Sequence, residues 1–226
     1  MSNKFRKIRV LWCGEASFLT TGYSIYAKEV LTRLYNTGKY KIAELGCYAS
    51  HQHPEIQNIP WRFYPTLPVD EEENNAYNSN QSNQFGKWRF DDVCLDFRPD
   101  VVIDIRDWWM MEYQQHAAFR KFYKWAIMPT VDSAPQQEQY ISTYIDADAV
   151  FTYSEYGKDV IEEESQGKVK VLGIPSPGAD FKNLKPVTNK SQHRQSFGFK
   201  DDINLIGTVM RNQRRKLYPN LIKSFR

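Results

Sequence analysis

Residues 8–35, IRVLWCGEASFLTTGYSIYAKEVLTRLY, constrain the fold more than any other stretch of the chain. Ile8, Val10 and Leu11, closed by Trp12 and Cys13, form a short β-branched and apolar run suited to a strand buried on both faces. Gly14 ends the run, and a polar loop follows over 15–21. Beyond Gly22, the positions of Ile25, Val30, Leu31 and Leu34 mark one face of a helix. Strand, glycine-bearing loop and helix make the first unit of a doubly wound α/β domain. In such folds ligands bind at the carboxyl ends of the strands, so the loop 14–22 is a candidate wall of a cleft. Gly22 lacks a Cβ; either its N–H approaches a phosphate or sugar at the positive end of the helix, or the residue serves the turn alone. The spacing is not G-x-G-x-x-G, which disfavours a nicotinamide or flavin dehydrogenase.

The same alternation continues. Strands are expected over 41–48, 61–64, 100–105, 125–130, 149–153 and 169–172, with helices over 90–97, 112–123 and 136–145 and another from Glu155. Strands and helices alternating at this spacing argue for a parallel sheet. His51 and His53 read as loop residues, because no third ligand stands at metal-binding spacing. The Asn-rich segment 70–86, DEEENNAYNSNQSNQFG, reads as a mobile surface excursion without a catalytic role. The clearest buried strand, DVVIDI at 100–105, runs into Arg106, Asp107, Trp108 and Trp109. Charged and aromatic residues there either contact substrate or cap the core and pair at the surface. Asp132 stands at the end of the next strand, and Ser154 is a strong N-cap for the helix that follows it. Asp107 and Asp132 are the catalytic candidates; Arg106, Trp108 and Ser154 are the acceptor-cleft candidates.

A linker-like stretch over 183–200 leads to one more expected buried strand, DDINLIGTV at 201–209. It ends in a loop carrying Arg211, Arg214, Arg215 and Lys216, with a helix starting near Tyr218. Four cations beside a helix start suit a diphosphate, the alternative being a solvated basic loop.

Composition narrows the class. An apolar fraction of 41% supports a packed core, and a net charge of +3 gives no general nucleic-acid surface. Cys13, Cys47 and Cys94 are widely spaced in apolar settings and read as reduced core residues. The amino terminus lacks a signal-peptide run, and no segment approaches the roughly 18 apolar residues of a membrane span. A soluble cytoplasmic protein is expected, with no metal and no cofactor.

Four segments together resemble the N-terminal half of a group 1 (family 4 type) retaining glycosyltransferase of the GT-B fold. They are TGYSIYAKEVLTRL at 21–34, DADAVFTYSEYGKDVI at 146–161, GIPSPGADFKNLKP at 173–186 and IGTVMRNQRRKLYPNLIKSF at 206–225. The last two are the more specific, and their order and separation match the family. The resemblance implies a Rossmann-like doubly wound parallel sheet over 1–182, on the acceptor side. A linker over 183–200 and the start of the nucleotide-sugar domain over 201–226 would follow. It further implies that Gly22, Arg211 and Lys216 bind the donor phosphates, and that Arg211 and Lys216 offset charge developing on the leaving group. Two departures stand out. The histidine that the family often carries after its fourth strand is replaced by Arg106-Asp107, and its hinge histidine by Pro177.

The donor is then a nucleoside-diphosphate sugar, and the acceptor a saccharide, lipid or small molecule. Of a second domain of roughly 150 residues, only about 40 are present. Either the chain is truncated or a partner supplies the remainder; alone it is expected to transfer no sugar, and its tail over 201–226 to pack on the first domain or on a neighbouring copy in a homo-oligomer. A non-catalytic sugar- or phosphate-binding module is the alternative.

Overall fold

The structure is a computed structural model that describes residues 6–181 and 183–225. Among these residues seven strands make one sheet: β1 (Ile8–Glu15), β2 (Tyr40–Cys47), β3 (Arg62–Pro65), β4 (Val101–Asp104), β5 (Lys124–Ile127), β6 (Ala149–Phe151) and β7 (Val171–Gly173). Every neighbouring pair is parallel, in the order β3-β2-β1-β4-β5-β6-β7. The direction of winding reverses between β1 and β4, which is the switch point of an open doubly wound α/β sheet.

Both faces of the sheet are covered, as the apolar runs require. Side chains alternate across a strand, so Leu11 and Cys13 enter one apolar cluster and Trp12 the other. Helix α1 (Gly22–Asn36) lays Ala27 and Leu31 on the Trp12 side. The expected 90–97 helix is present as part of a longer one. After α2 (Glu71–Asn78), α3 (Lys87–Phe97) presents Phe90, Val93, Cys94 and Phe97 to the opposite cluster. That cluster also takes Met110 and Met111 from α4 (Trp108–Met111), Tyr144 from α5 (Glu138–Asp146) and Ile161 from α6 (Glu155–Glu164). The three cysteines are free and buried.

Three expectations are corrected. The segment 70–86 lies at the surface but carries regular structure: α2 is capped by Asp70, whose carboxylate accepts from the Glu73 N–H at 2.8 Å, and a 3-10 turn spans Gln81–Phe85. Phe85 and Asn83 are buried, so one apolar residue in a polar run is enough to anchor it. The helix expected over 112–123 is broken into α4 and short 3-10 turns at Glu112–His116 and Arg120–Phe122. The strand expected over 201–209 is not formed among the described residues, and Ile206 and Val209 are exposed. An extended run without a neighbouring strand has no ladder to satisfy its backbone groups.

The chain divides into two units, Met1–Pro177 and Gly178–Arg226. The second carries α7 (Lys190–Ser196), a 3-10 turn at Arg214–Lys216 and α8 (Tyr218–Lys223). No helix of the described residues is long and apolar enough to cross a membrane.

Candidate functional site at the carboxyl edge of the sheet

The first unit gathers its polar side chains where β1, β4 and β5 end. The loop after β1 is held down before it reaches the helix. Ala16 N–H donates to the Cys47 carbonyl at 3.1 Å. Ser17 donates twice to the Glu44 carboxylate, N–H at 2.6 Å and Oγ–H at 2.9 Å, and Trp61 Nε1–H adds a third bond at 2.7 Å. Glu44 is fully buried in β2. Burial raises its pKa above the ordinary value, and the donors from Trp61 and Ser17 pull it back only in part.

Thr21 then caps α1, its Oγ1 accepting from the Ser24 N–H at 3.2 Å while its hydroxyl donates to Glu15. Gly22 is the first helical residue, and a Cβ there would meet nothing within 4 Å. Its neighbour Tyr23 reaches across the edge, donating from Oη to Asp107 Oδ1 at 3.0 Å and standing 2.8 Å from Thr130 Oγ1. The chain therefore bridges the ends of β4 and β5 to the start of α1. Desolvation pushes the Tyr23 phenol up to about 12, so it stays protonated near neutrality. One turn on, Tyr26 donates to the Pro175 carbonyl at 2.8 Å and meets Tyr153 edge-on, with ring centroids 6.4 Å apart. Ser176 Oγ–H donates to the Tyr153 carbonyl, so the exit from β7 is fixed to the same edge.

The residues singled out from sequence are distributed unevenly around this site. Gly22 and Asp107 belong to it. Ser154 is the N-cap of α6, its Oγ accepting from the Gly157 N–H at 3.1 Å. Asp132 is exposed in the loop after β5. Trp108 is half-buried, stacked on Tyr140 at 4.2 Å with Nε1–H donating to Thr143 at 2.9 Å; the exposed indole is Trp109. Arg106 is a correction. It is fully buried, with Nε on Asp104 Oδ1 at 2.5 Å and Nη1 on the Phe85 carbonyl at 2.8 Å, so its guanidinium faces protein and not an acceptor. In the second unit Arg211 is exposed, and Lys216 closes the turn before α8.

Tyr23, Thr130 and Glu44 were not singled out. The signal for the first two was available: Tyr23 adjoins Gly22 at the helix start, and Thr130 closes the expected strand 125–130, two residues before Asp132. Glu44 carried none, because a lone carboxylate inside an apolar strand says nothing of what will bond it.

A groove of about 490 Å³ at the opposite, amino edge is lined by Arg6, Arg9, Arg98, Phe119 and Phe122, among others. Two of its cations are committed, Arg6 to Asp100 and Arg9 to the Phe97 carbonyl. Doubly wound sheets bind ligands at the other edge. The carboxyl edge is therefore the candidate site.

No protein-family model and no curated protein sequence matches the chain. Among solved structures it is similar to UDP-GlcNAc 2-epimerase from Methanocaldococcus jannaschii, with 17% identity and a TM-score of 0.47 over 75% of this chain and 46% of that one. It is also similar to a protein described as a UDP-N-acetylglucosamine 2-epimerase from Listeria monocytogenes, with 16% identity and a TM-score of 0.47 over 70% and 42%. The chain spans less than half the length of either. The fold assignment rests on the strand order itself.

Proposed function

We propose that the chain is the acceptor-side part of a GT-B glycosyltransferase that moves a hexosyl group from a nucleoside-diphosphate sugar with retention of configuration. The observation that carries this reading is the convergence of Gly22, Tyr23, Asp107 and Thr130 on the switch point between β1 and β4. The open start of α1 offers N–H donors to an anion, and the Asp107 carboxylate offers an acceptor for a sugar hydroxyl. Transfer breaks the bond between the anomeric carbon and a phosphate oxygen, leaving charge on the diphosphate. Arg211 and Lys216 are the side chains assigned to offset it. The reading also rests on the motif resemblance over 206–225.

The alternative, a sugar- or phosphate-binding module without transfer, is favoured by the completeness of the seven-stranded sheet within Met1–Pro177. Calorimetric titration of the full chain with UDP, GDP and ADP tests the donor assignment. At least one is expected to bind with a Kd below about 1 mM, and Arg211→Ala or Lys216→Ala to weaken it about tenfold or more. Three flat titrations overturn the donor assignment. Binding that persists with no sugar transfer, once a complete donor domain is fused to the chain, favours the module.

A further inference from the structure

We infer that the amino edge of the sheet, where β4 and β5 start, is a docking groove for an acidic peptide segment with a large apolar anchor residue. The inference stands apart from the transferase reading and uses none of its residues. Three hollows meet at this edge around Phe122. The groove of about 490 Å³ shares Asp100, Phe122 and Tyr123 with a hollow of about 380 Å³. That hollow in turn shares Arg120, Lys121 and Phe122 with a third of about 560 Å³. The shared residues make them one row of depressions along the edge.

Apolar side chains that the core does not take stand in this row. Phe122 is 78% exposed and Leu95 is 56% exposed, and both line the groove. Leu95 is left out while α3 buries Phe90, Val93, Cys94 and Phe97 around it. Exposed apolar side chains gathered in one hollow, unlike ones scattered singly, mark an interaction site. Phe122 is also held in place. Its N–H donates to the Phe119 carbonyl at 2.9 Å, and the two rings stand 6.3 Å apart. Arg120, at the start of the same turn, pairs with Asp146 at 2.9 Å and with Asp148 at 3.1 Å. A side chain presented on a pinned turn loses little freedom when a partner covers it.

Charge selects the occupant. The carboxylates of the row are already matched: Asp100 by Arg6 at 2.5 Å, Asp146 by Arg120, and Asp148 by Arg120 and Lys124. Arg9, Arg98 and Lys121 line the row too, and none of them forms an ion pair with a carboxylate among the described residues. Arg9 bonds the Phe97 carbonyl at 3.1 Å, which leaves its charge uncompensated. Three such cations beside Phe122 and Leu95 are complementary to carboxylates that flank an aromatic or branched apolar side chain. An extended chain can follow a row of depressions, whereas a flat lipid surface cannot enter it.

The probe is an array of randomised nonapeptides read with the fluorescently labelled full chain, followed by anisotropy titration of the strongest binder. Bound peptides are expected to be enriched in Asp and Glu around one Phe, Trp or Leu. Phe122→Ser and Arg98→Glu should each weaken the strongest binder about fivefold or more. Both positions are exposed, so the melting curve should not move. Lys28→Glu, an equal charge reversal on the exposed surface of α1, should leave the affinity within about twofold. Raising NaCl from about 0.05 to about 0.3 M should weaken binding severalfold. An array without bound peptides, a bound set without acidic enrichment, or an affinity unchanged in both groove variants overturns the proposal. So does co-sedimentation with phosphatidylglycerol vesicles in place of peptide binding, which would make the edge a membrane contact.

Discussion

Arg106 and Asp104 stand two residues apart where β4 ends, and neither has any exposed side-chain surface. A buried charge stripped of its partner is costly, so Arg106→Leu is expected to destabilise the fold by about 3–5 kcal/mol in urea unfolding. A loss below about 1 kcal/mol would return Arg106 to the surface role its sequence position suggested. That suggestion went astray for a physical reason. A cation after a buried strand has two destinations, ligand or protein, and the carbonyl that decides between them belongs to Phe85, 21 residues earlier. Glu44 gives a second test. Its pKa is held above the ordinary 4.5, chiefly by desolvation, so the folded chain keeps a proton that the unfolded chain has released. The stability this contributes is complete below about pH 4.5 and is lost as pH rises through the raised value. Glu44→Gln does not titrate. From about pH 4 to about pH 7 its stability should therefore gain on that of the unsubstituted chain, whatever the offset from altered hydrogen bonds. An offset that does not change with pH contradicts this.

The central strands were legible because each is an apolar run of the right length between turn residues; β3 and β7, at the edges of the sheet, are partly exposed. The caps were legible too: Ser154 accepts from the Gly157 N–H as its place before Glu155 indicated. What pattern could not supply was tertiary anchoring. The 70–86 segment is polar almost throughout, yet Arg89 pairs with Glu73 at 2.6 Å, Asn83 Nδ2–H donates to the Ala76 carbonyl at 2.7 Å, and Phe85 enters the core. Phe85→Ala is accordingly expected to cost about 3–5 kcal/mol in urea unfolding. A cost below about 0.5 kcal/mol would mean that the segment is the loose excursion its composition suggests. The reverse error occurred over 201–209, where a strand-like pattern lacks the neighbour that a strand requires.

The parallel sheet and its two covered faces followed from alternation of strands and helices, and with them the edge at which to look. Strand order did not, because which strand lies beside β1 depends on long-range pairing. That order matters most for function: by setting β4 beside β1 it brings Asp107 and Thr130 to the start of α1. Amide chemical-shift mapping of the 15N-labelled full chain during titration with UDP, GDP and ADP tests this most directly. The expected result is that at least one nucleotide moves the amides of Gly22, Tyr23, Asp107 and Thr130. Shifts confined to the amino-edge groove around Arg6, Arg98 and Phe122, or no shifts with any of the three, would contradict it.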